Sequence, residues 1–453
     1  MKEKTKKIKS KMSKIELGFT IFSIVFLVGF TILYAYRTLH YYKIFNPKKS
    51  SGEVTELMGI TLRKNTAVVY EGSGLYSVNG NFAFKGQVDN NYVRYSNMLW
   101  RVIRINQDNS IVLVTDDYVN NLMWDYDSTD YNTSNIRDWL VTSGDNTGVF
   151  EKTLYDKENY LITNTVCLDK ITELKEFTCN EKSNTDYVSL LNLSDYLNSI
   201  IESKTYINNT ENIWLSTSSD EDKVWHASNG SVSKSSGTNG YAIKPVITLK
   251  GTNVIQSGSG TMEDPYLIET TNDKKLKTYS YVKLNDDIWT IYEENKDNIR
   301  LIYDGYLGGN FNTYSFSPTG NKYNVTVNHS LAKYLNTTFY DSLLYKDKLI
   351  DCDWYTGEYT DKTKYDYKNI YSEKVTAKVG IYNVADIKID STISNYFFLT
   401  PADDGKIYSF NNDENLYSSK TTYIKKIRPA ICIEKLKITK GDGTKDSPYE
   451  LEV

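Results

Sequence analysis

Apolar and polar positions follow two regimes along this chain. From Leu17 to Tyr36, "LGFTIFSIVFLVGFTILYAY", no position carries a charge. At the helical rise per residue this run covers about 30 Å, the thickness of a bilayer's hydrocarbon core. Beyond Gly74 the pattern becomes short apolar–polar alternations closed by Asn-, Asp- and Gly-rich turns, the signature of strands in sheets. "LWRVIRIN" and "SIVLV" flank the turn Asn106–Asn109, and "IWTIYEEN" and "NIRLIY" flank Asn295–Asn298. Each pair predicts a hairpin led by a tryptophan, Trp100 or Trp289. "GLYSVNGNFAFKG" (Gly74–Gly86) predicts a further hairpin turning at its Asn-Gly. Helical spacing is rarer. "SNIRDWL" places Ile136, Trp139 and Leu140 on one face behind Ser134 as N-cap, and "HSLAKYL" does the same with Leu331, Tyr334 and Leu335.

These elements recur. "GSGTMEDPYLIE" (Gly258–Glu269) and "GDGTKDSPYELE" (Gly441–Glu452) agree at six of twelve positions. Upstream of them, "KPVITL" matches "RPAICI", each a strand opening at proline (Pro245, Pro429), where the missing N–H does least harm. "IWLSTSSDEDKVW" then faces "FFLTPADDGKIYSF", and "VSLLNLSDY" faces "VGIYNVADI". Cys167 faces Cys352, and the helices and tryptophan-led hairpins follow in the same order at offsets of about 183–191 residues. One weak likeness would mean little in a chain with 39 tyrosines; an ordered series at near-constant offset predicts a tandem duplication. The fold class expected is α+β: an N-terminal transmembrane helix followed by two strand-rich modules. The expected segments are 1–14 a Lys-rich cytoplasmic tail, 15–36 the anchor, 37–73 a stalk, 74–270 the first module and 271–453 the second. Whether the modules pack together stays open. The closing Gly-x-Gly-Thr phrase leads into Pro-Tyr rather than a helix, so it reads as a turn that seals each module and not as a phosphate cradle.

The ordered set "LWRVIRIN", "SNIRDWL", a mid-domain cysteine, "WLSTS", "KPVITL" and "GSGT..DPY" resembles a group of tandem-repeated extracytoplasmic domains on membrane-anchored surface proteins of Gram-positive-type bacteria. The resemblance spans roughly residues 75–453. It implies surface display and no assigned activity, so no catalytic residue is carried over. The strand–helix–strand order also has a distant likeness to C-type-lectin-like and formylglycine-generating-enzyme-like folds, a fold analogy that says nothing of function.

Charge supports the same placement. Seven lysines and two glutamates lie in residues 1–36, so the rest of the chain carries about −9 of the overall −4. Lysines before the apolar run predict a cytoplasmic N-terminus and an extracytoplasmic remainder. The run is long for a cleaved signal and lacks a small-residue cleavage site after it. A prepilin start would need a glutamate where Ser23 stands. The acidic balance argues against nucleic acid as a partner. The expected partners are the membrane, through the Leu17–Tyr36 helix, and a protein or cell-wall glycan.

The chemistry-bearing residues are sparse. Export favours disulfides, and Cys167 and Cys179 are close enough in sequence to pair; for Cys432, a bridge to Cys352 and a buried free thiol are both open. His226 is the one histidine placed to act as a base, and a surface histidine is its simpler reading. No Walker loop, dinucleotide fingerprint, HExxH or CxxC occurs. Matched acidic loops carry Asp220 and Asp222 in one unit and Asp403 and Asp404 in the other. With Trp214 and Trp225 they are the ligand-binding candidates, for a glycan or, as the only cofactor considered, calcium; a solvated turn and core tryptophans are the simpler readings. The expectation is a non-catalytic binding or scaffolding protein of the envelope. The alternatives are a wall-acting enzyme using loop carboxylates and an accessory subunit of a membrane assembly.

Overall fold

A computed structural model of the protein describes residues 56–452, apart from 147, 175–178, 208–210, 220–221, 269–274, 308–314, 390–394 and 411–415. The expected anchor, cytoplasmic tail and most of the stalk lie outside the described residues. Among the described residues no helix is long and apolar enough to cross a membrane. The architecture is strand-rich with few helices.

Alternation in the sequence becomes two large sheets. The first contains β1 (Gly74–Val78), β2 (Asn81–Lys85), β3 (Tyr92–Tyr95), β4 (Met98–Ile105), β5 (Ile111–Thr115), β6 (Val188–Leu190), β7 (Pro245–Leu249) and β8 (Tyr266–Leu267). Its core runs β4-β5-β7-β6, antiparallel throughout, with β3 beside β4 and β8 parallel to β3. The second contains β9 (Tyr281–Leu284), β10 (Asp287–Glu294), β11 (Asn298–Tyr303), β12 (Val379–Gly380), β13 (Ala430–Glu434) and β14 (Tyr449–Leu451). Here the order is β14-β9-β10-β11-β13-β12, the first sheet's order strand for strand, with β14 again parallel to β9. The ladders even slip at corresponding places, between Val102 and Arg104 and between Ile291 and Glu293. A bulge adds one unpaired residue and bends its strand, so the shared bulge gives both sheets the same local bend.

Local chemistry accounts for these elements. Asn79 and Gly80 have φ of 49° and 79°, the two positive values that a two-residue hairpin turn between β1 and β2 requires. Trp100 and Trp289 are fully buried. Lys244 and Arg428, the basic residues before the strand-opening prolines, are buried as well. Lys244 Nζ donates to the Asp116 carbonyl (2.6 Å) and Arg428 Nε to the Tyr303 carbonyl (3.0 Å), each bracing the end of a neighbouring strand. Ser134 and Ser330 cap their helices by accepting from Arg137 N (3.2 Å) and Lys333 N (3.1 Å). The faces read from helical spacing, Ile136–Trp139–Leu140 and Leu331–Tyr334–Leu335, are buried.

The repeated closing phrase performs one task twice. The Gly260 carbonyl accepts from Tyr92 N and the Gly443 carbonyl from Tyr281 N, both at 2.8 Å, so each turn bonds to the first residue of β3 or β9. A Cβ on Gly258 would stand 2.1 Å from the Pro265 carbonyl oxygen, and one on Gly441 2.1 Å from that of Pro448; both residues also have positive φ. Glycine is required there by space and by backbone conformation together.

The compact unit takes in the described residues from Glu56 onward, ahead of the first hairpin at Gly74. The helix α1 (Met58–Asn65) buries Met58 and Leu62, and Met58 N bonds to the Asn253 carbonyl (2.8 Å). The last part of the expected stalk therefore belongs to the globular body: its apolar residues supply a helix face to a sheet edge.

The two halves are one unit, Glu56–Val453. Their contact centres on the turn Asn383–Asp386. Trp139, fully buried, donates its indole N–H to the Ala385 carbonyl (2.8 Å), and Asn120 Nδ2 reaches the Val384 (2.9 Å) and Asp386 (3.1 Å) carbonyls. Lys388 N donates to the Val119 carbonyl (2.8 Å) and Tyr367 OH to that of Asp138 (3.0 Å). Lys364–Asp127, Lys368–Asp138 and Lys152–Glu293 ion pairs form the rim. The contact thus has satisfied backbone carbonyls at its centre and ion pairs at its edge.

Candidate functional site: a polar groove on the first sheet

A concavity lies on the first sheet, beside the β1–β2 hairpin, which has no counterpart among the described residues of the second half. Two adjoining cavities of about 340 and 410 Å³ share Asn81, Arg104 and Asn106. Arg104 projects from β4 just past the bulge, across from Val112 of β5, which in turn faces Thr248 of β7. The three form a cross-strand row along the groove.

The polar side chains are held in place. Arg104 pairs with Asp195, and its Nε donates to Asn106 Oδ1 (3.0 Å). Asp195 is fixed in turn by Asn192, which caps a short helix by accepting from Asp195 N (2.7 Å) while its amide donates to Asp195 Oδ2 (2.9 Å). Asn106 Nδ2 donates to Ser110 Oγ (2.8 Å), and Gln107 donates to Asn81 Oδ1 (3.2 Å) and the Asn79 carbonyl (3.2 Å). The Ser110 hydroxyl and amide hold the Asp108 carboxyl below the usual carboxylate range. Arg104's charge is met within the protein, and amides and hydroxyls are presented on a rigid sheet. That chemistry suits an uncharged ligand rich in hydroxyl or amide groups better than an ion.

The second half places Asp386 where the first places Asp195, again with an asparagine amide on its carboxyl: Asn383 Nδ2 donates to Oδ1 (3.0 Å), and here Asn383 N also donates to Oδ2 (2.8 Å). Glu293 stands where the first half has Arg104, so the ion pair is replaced by two carboxyls. Packing of the interface pushes the Asp386 carboxyl up to about 7; Asn383 opposes this, Glu293 adds to it, and Arg300 and Lys152 oppose it. The folded chain thus holds this proton more tightly than the unfolded chain, whose carboxyl titrates near pH 4. The contribution to stability is full below about pH 4 and is lost as pH rises to about 7, a loss on the order of 2–4 kcal/mol. Asp386→Asn is expected to flatten this segment of the stability–pH curve measured by urea unfolding. Identical slopes in the two proteins would show that the carboxyl titrates normally.

The residues singled out from sequence lie elsewhere. Trp214 and Trp225 are buried, and their indoles donate to the Leu122 (3.0 Å) and Ile171 (2.6 Å) carbonyls, so neither presents an open ring face. Asp220 lies outside the described residues and Asp222 is exposed beside it. Asp403 accepts from Asp361 N (3.2 Å) and Tyr365 OH (3.1 Å), fastening its loop to the Asp361–Tyr365 turn, while Asp404 points to solvent with φ 57°. Among the described residues, Asp222 and Asp404 are exposed and Asp403 is engaged by its neighbouring turn, while both tryptophans are buried. His226, read as a surface residue, is instead buried between Trp214 and Tyr241, and burial lowers its pKa. Cys167–Cys179 is a disulfide, and so is Cys352–Cys432. Among the described residues the one group of ligand-type atoms close enough to share a metal is Cys167, Asp169 and Cys179, whose sulfurs are bonded to each other.

Arg104, the partner of Asp195, had a legible signal: a charged residue inside an apolar strand, aligned with the oppositely charged Glu293 in the other unit. Their meeting did not, since 91 residues separate them in the chain. No protein-family model, no curated protein and no solved structure matches this chain.

Proposed function

We propose that the protein is a membrane-anchored, extracytoplasmic binding or scaffolding protein of the cell envelope, built from two tandem modules that act as one body. The uncharged run Leu17–Tyr36 behind a lysine-rich start supports the anchor and its orientation. The pairing of all four cysteines supports an oxidising location. Equal strand order, with matching bulges, supports duplication.

The groove carries the binding reading. Its amides and hydroxyls are mounted on a braced sheet, and its one strong charge pair is closed internally. A wall polymer, with its uncharged hydroxyl and amide groups, fits that chemistry. Full-length protein in detergent micelles should co-sediment with purified cell-wall sacculi. The variant Asn81→Ala/Asn106→Ala, which removes two amides from the groove without touching the core, should lose at least tenfold in retention. Absence of retention by the unaltered protein, or equal retention by the variant, would count against wall binding at this site.

A further inference from the structure

The two disulfides differ in their surroundings. Cys352 and Cys432 are 7% and 0% exposed, so their bond lies inside the second half. Cys167 and Cys179 are both partly exposed, and a thiol from solvent can reach the bond between them. A third ligand-type group stands beside that pair. One carboxylate oxygen of Asp169 and the two sulfurs all lie within 4.8 Å of one another.

The frame that holds these three groups does not rest on the sulfur–sulfur bond. Val166–Cys167 pairs with Lys182–Ser183, and Leu168 N bonds to the Glu181 carbonyl (2.9 Å). Asp169 is tied to the residues just after Cys179. Its Oδ2 accepts from Asn180 N (2.6 Å) and Asn180 Nδ2 (3.3 Å), and its Oδ1 from Glu181 N (3.2 Å). Two residues on, Ile171 N bonds to the Ser218 carbonyl (3.0 Å), and the Ile171 carbonyl accepts from the Trp225 indole (2.6 Å). Opening the disulfide therefore leaves two thiols and a carboxylate side by side. The Cα atoms of Cys167 and Cys179 are 5.7 Å apart. Two thiolates on one tetrahedral zinc stand about 3.8 Å apart, a separation that side-chain rotation reaches from this spacing.

We infer that Cys167, Asp169 and Cys179 form a thiol-gated zinc site, closed while the disulfide stands and open once a dithiol has reduced it. One thiolate of the dithiol attacks a sulfur of the pair and forms a mixed disulfide, releasing the other sulfur as a thiolate. The second thiol of the dithiol then displaces the remaining sulfur and leaves in its own disulfide. Two electrons pass to the pair, and its thiols give their protons to solvent as zinc binds. Two sulfurs and one carboxylate oxygen suit zinc, whereas calcium and magnesium call for oxygen ligands throughout. The fourth position of the metal is left to water. The site is independent of the groove on the first sheet.

Zinc titration tests it. Full-length protein in detergent micelles, oxidised or reduced, is titrated with zinc chloride against a chromophoric chelator. A water-soluble phosphine stands in for the dithiol, because it offers no thiol to the metal. The reduced protein should take up one zinc per chain and the oxidised protein none. Cobalt in its place should show a sulfur-to-metal charge-transfer band. Asp169→Asn keeps both thiols and an acceptor for the Asn180 and Glu181 amides, and should hold zinc at least tenfold more weakly. No zinc on the reduced protein overturns the inference. So does undiminished affinity in Asp169→Asn, which would leave a plain dithiol, or in Cys167→Ser/Cys179→Ser, which would place the metal elsewhere. Should the variants misfold, alkylation of the reduced, unaltered protein gives the second measurement. Zinc should slow the labelling of Cys167 and Cys179 at least tenfold, and unchanged labelling rates sink the inference.

Discussion

Trp139→Ala is expected to lower the unfolding free energy by about 3–5 kcal/mol, the range for deleting a fully buried large aromatic ring. The ring fills the centre of the contact between the halves and stacks on Phe150 (centroids 6.4 Å, interplanar 30°), and its N–H satisfies the Ala385 carbonyl. Removing it leaves a cavity and an unpaired buried acceptor at the same place. The shape of the transition should change as well. Halves coupled through Asn383–Asp386 unfold together, and halves without their central anchor should melt in two steps. Trp139→Phe restores most of the volume but not the donor, so it should fall between the two. A calorimetric trace with one unchanged transition for Trp139→Ala would show that the rim ion pairs hold the halves together.

The Cys352→Ala/Cys432→Ala double variant is the second large effect. The bond closes 80 residues of chain, which in the chain-entropy model restrains the unfolded state by about 4.5 kcal/mol, against about 3 kcal/mol for the 12-residue closure at Cys167–Cys179. The longer bond also pins the strand Cys352–Tyr355 over Arg300. Its removal should therefore raise hydrogen exchange in the Cys352–Ala377 hairpin before the rest of the second half responds. Urea unfolding with and without reductant, beside the same comparison for Cys167→Ala/Cys179→Ala, measures both differences. If reductant left the midpoint of the unaltered protein in place, the bond would contribute nothing to stability.

Much of the fold was legible because short-range chemistry decides it. The Asn79-Gly80 turn, the prolines at 245 and 429, the serine caps at 134 and 330 and the buried helix faces all follow from residues within a few positions of one another. The disulfide Cys167–Cys179 belongs to the same class, its partners only 12 residues apart. The candidate site was not legible. Acidic loops and tryptophans stand out in a sequence, but Trp214, Trp225 and His226 were drawn inside because large rings bury more apolar surface than any other side chain can. Asp403 was drawn into a neighbouring turn by an amide and a hydroxyl.

The sequence by itself determined the apolar run at Leu17–Tyr36, the doubled order of elements and the glycine turns that end each half, since period, offset and turn chemistry are all local or self-referential. Only the tertiary structure decided that the halves dock through Trp139, that Cys352 reaches Cys432, and that Thr248, at the matching place, bonds instead to Asn164. Those outcomes depend on strands far apart in the chain coming into register. A swap as small as Thr248 for Cys432 acquires its meaning only once β7 and β13 are seen to occupy the same place.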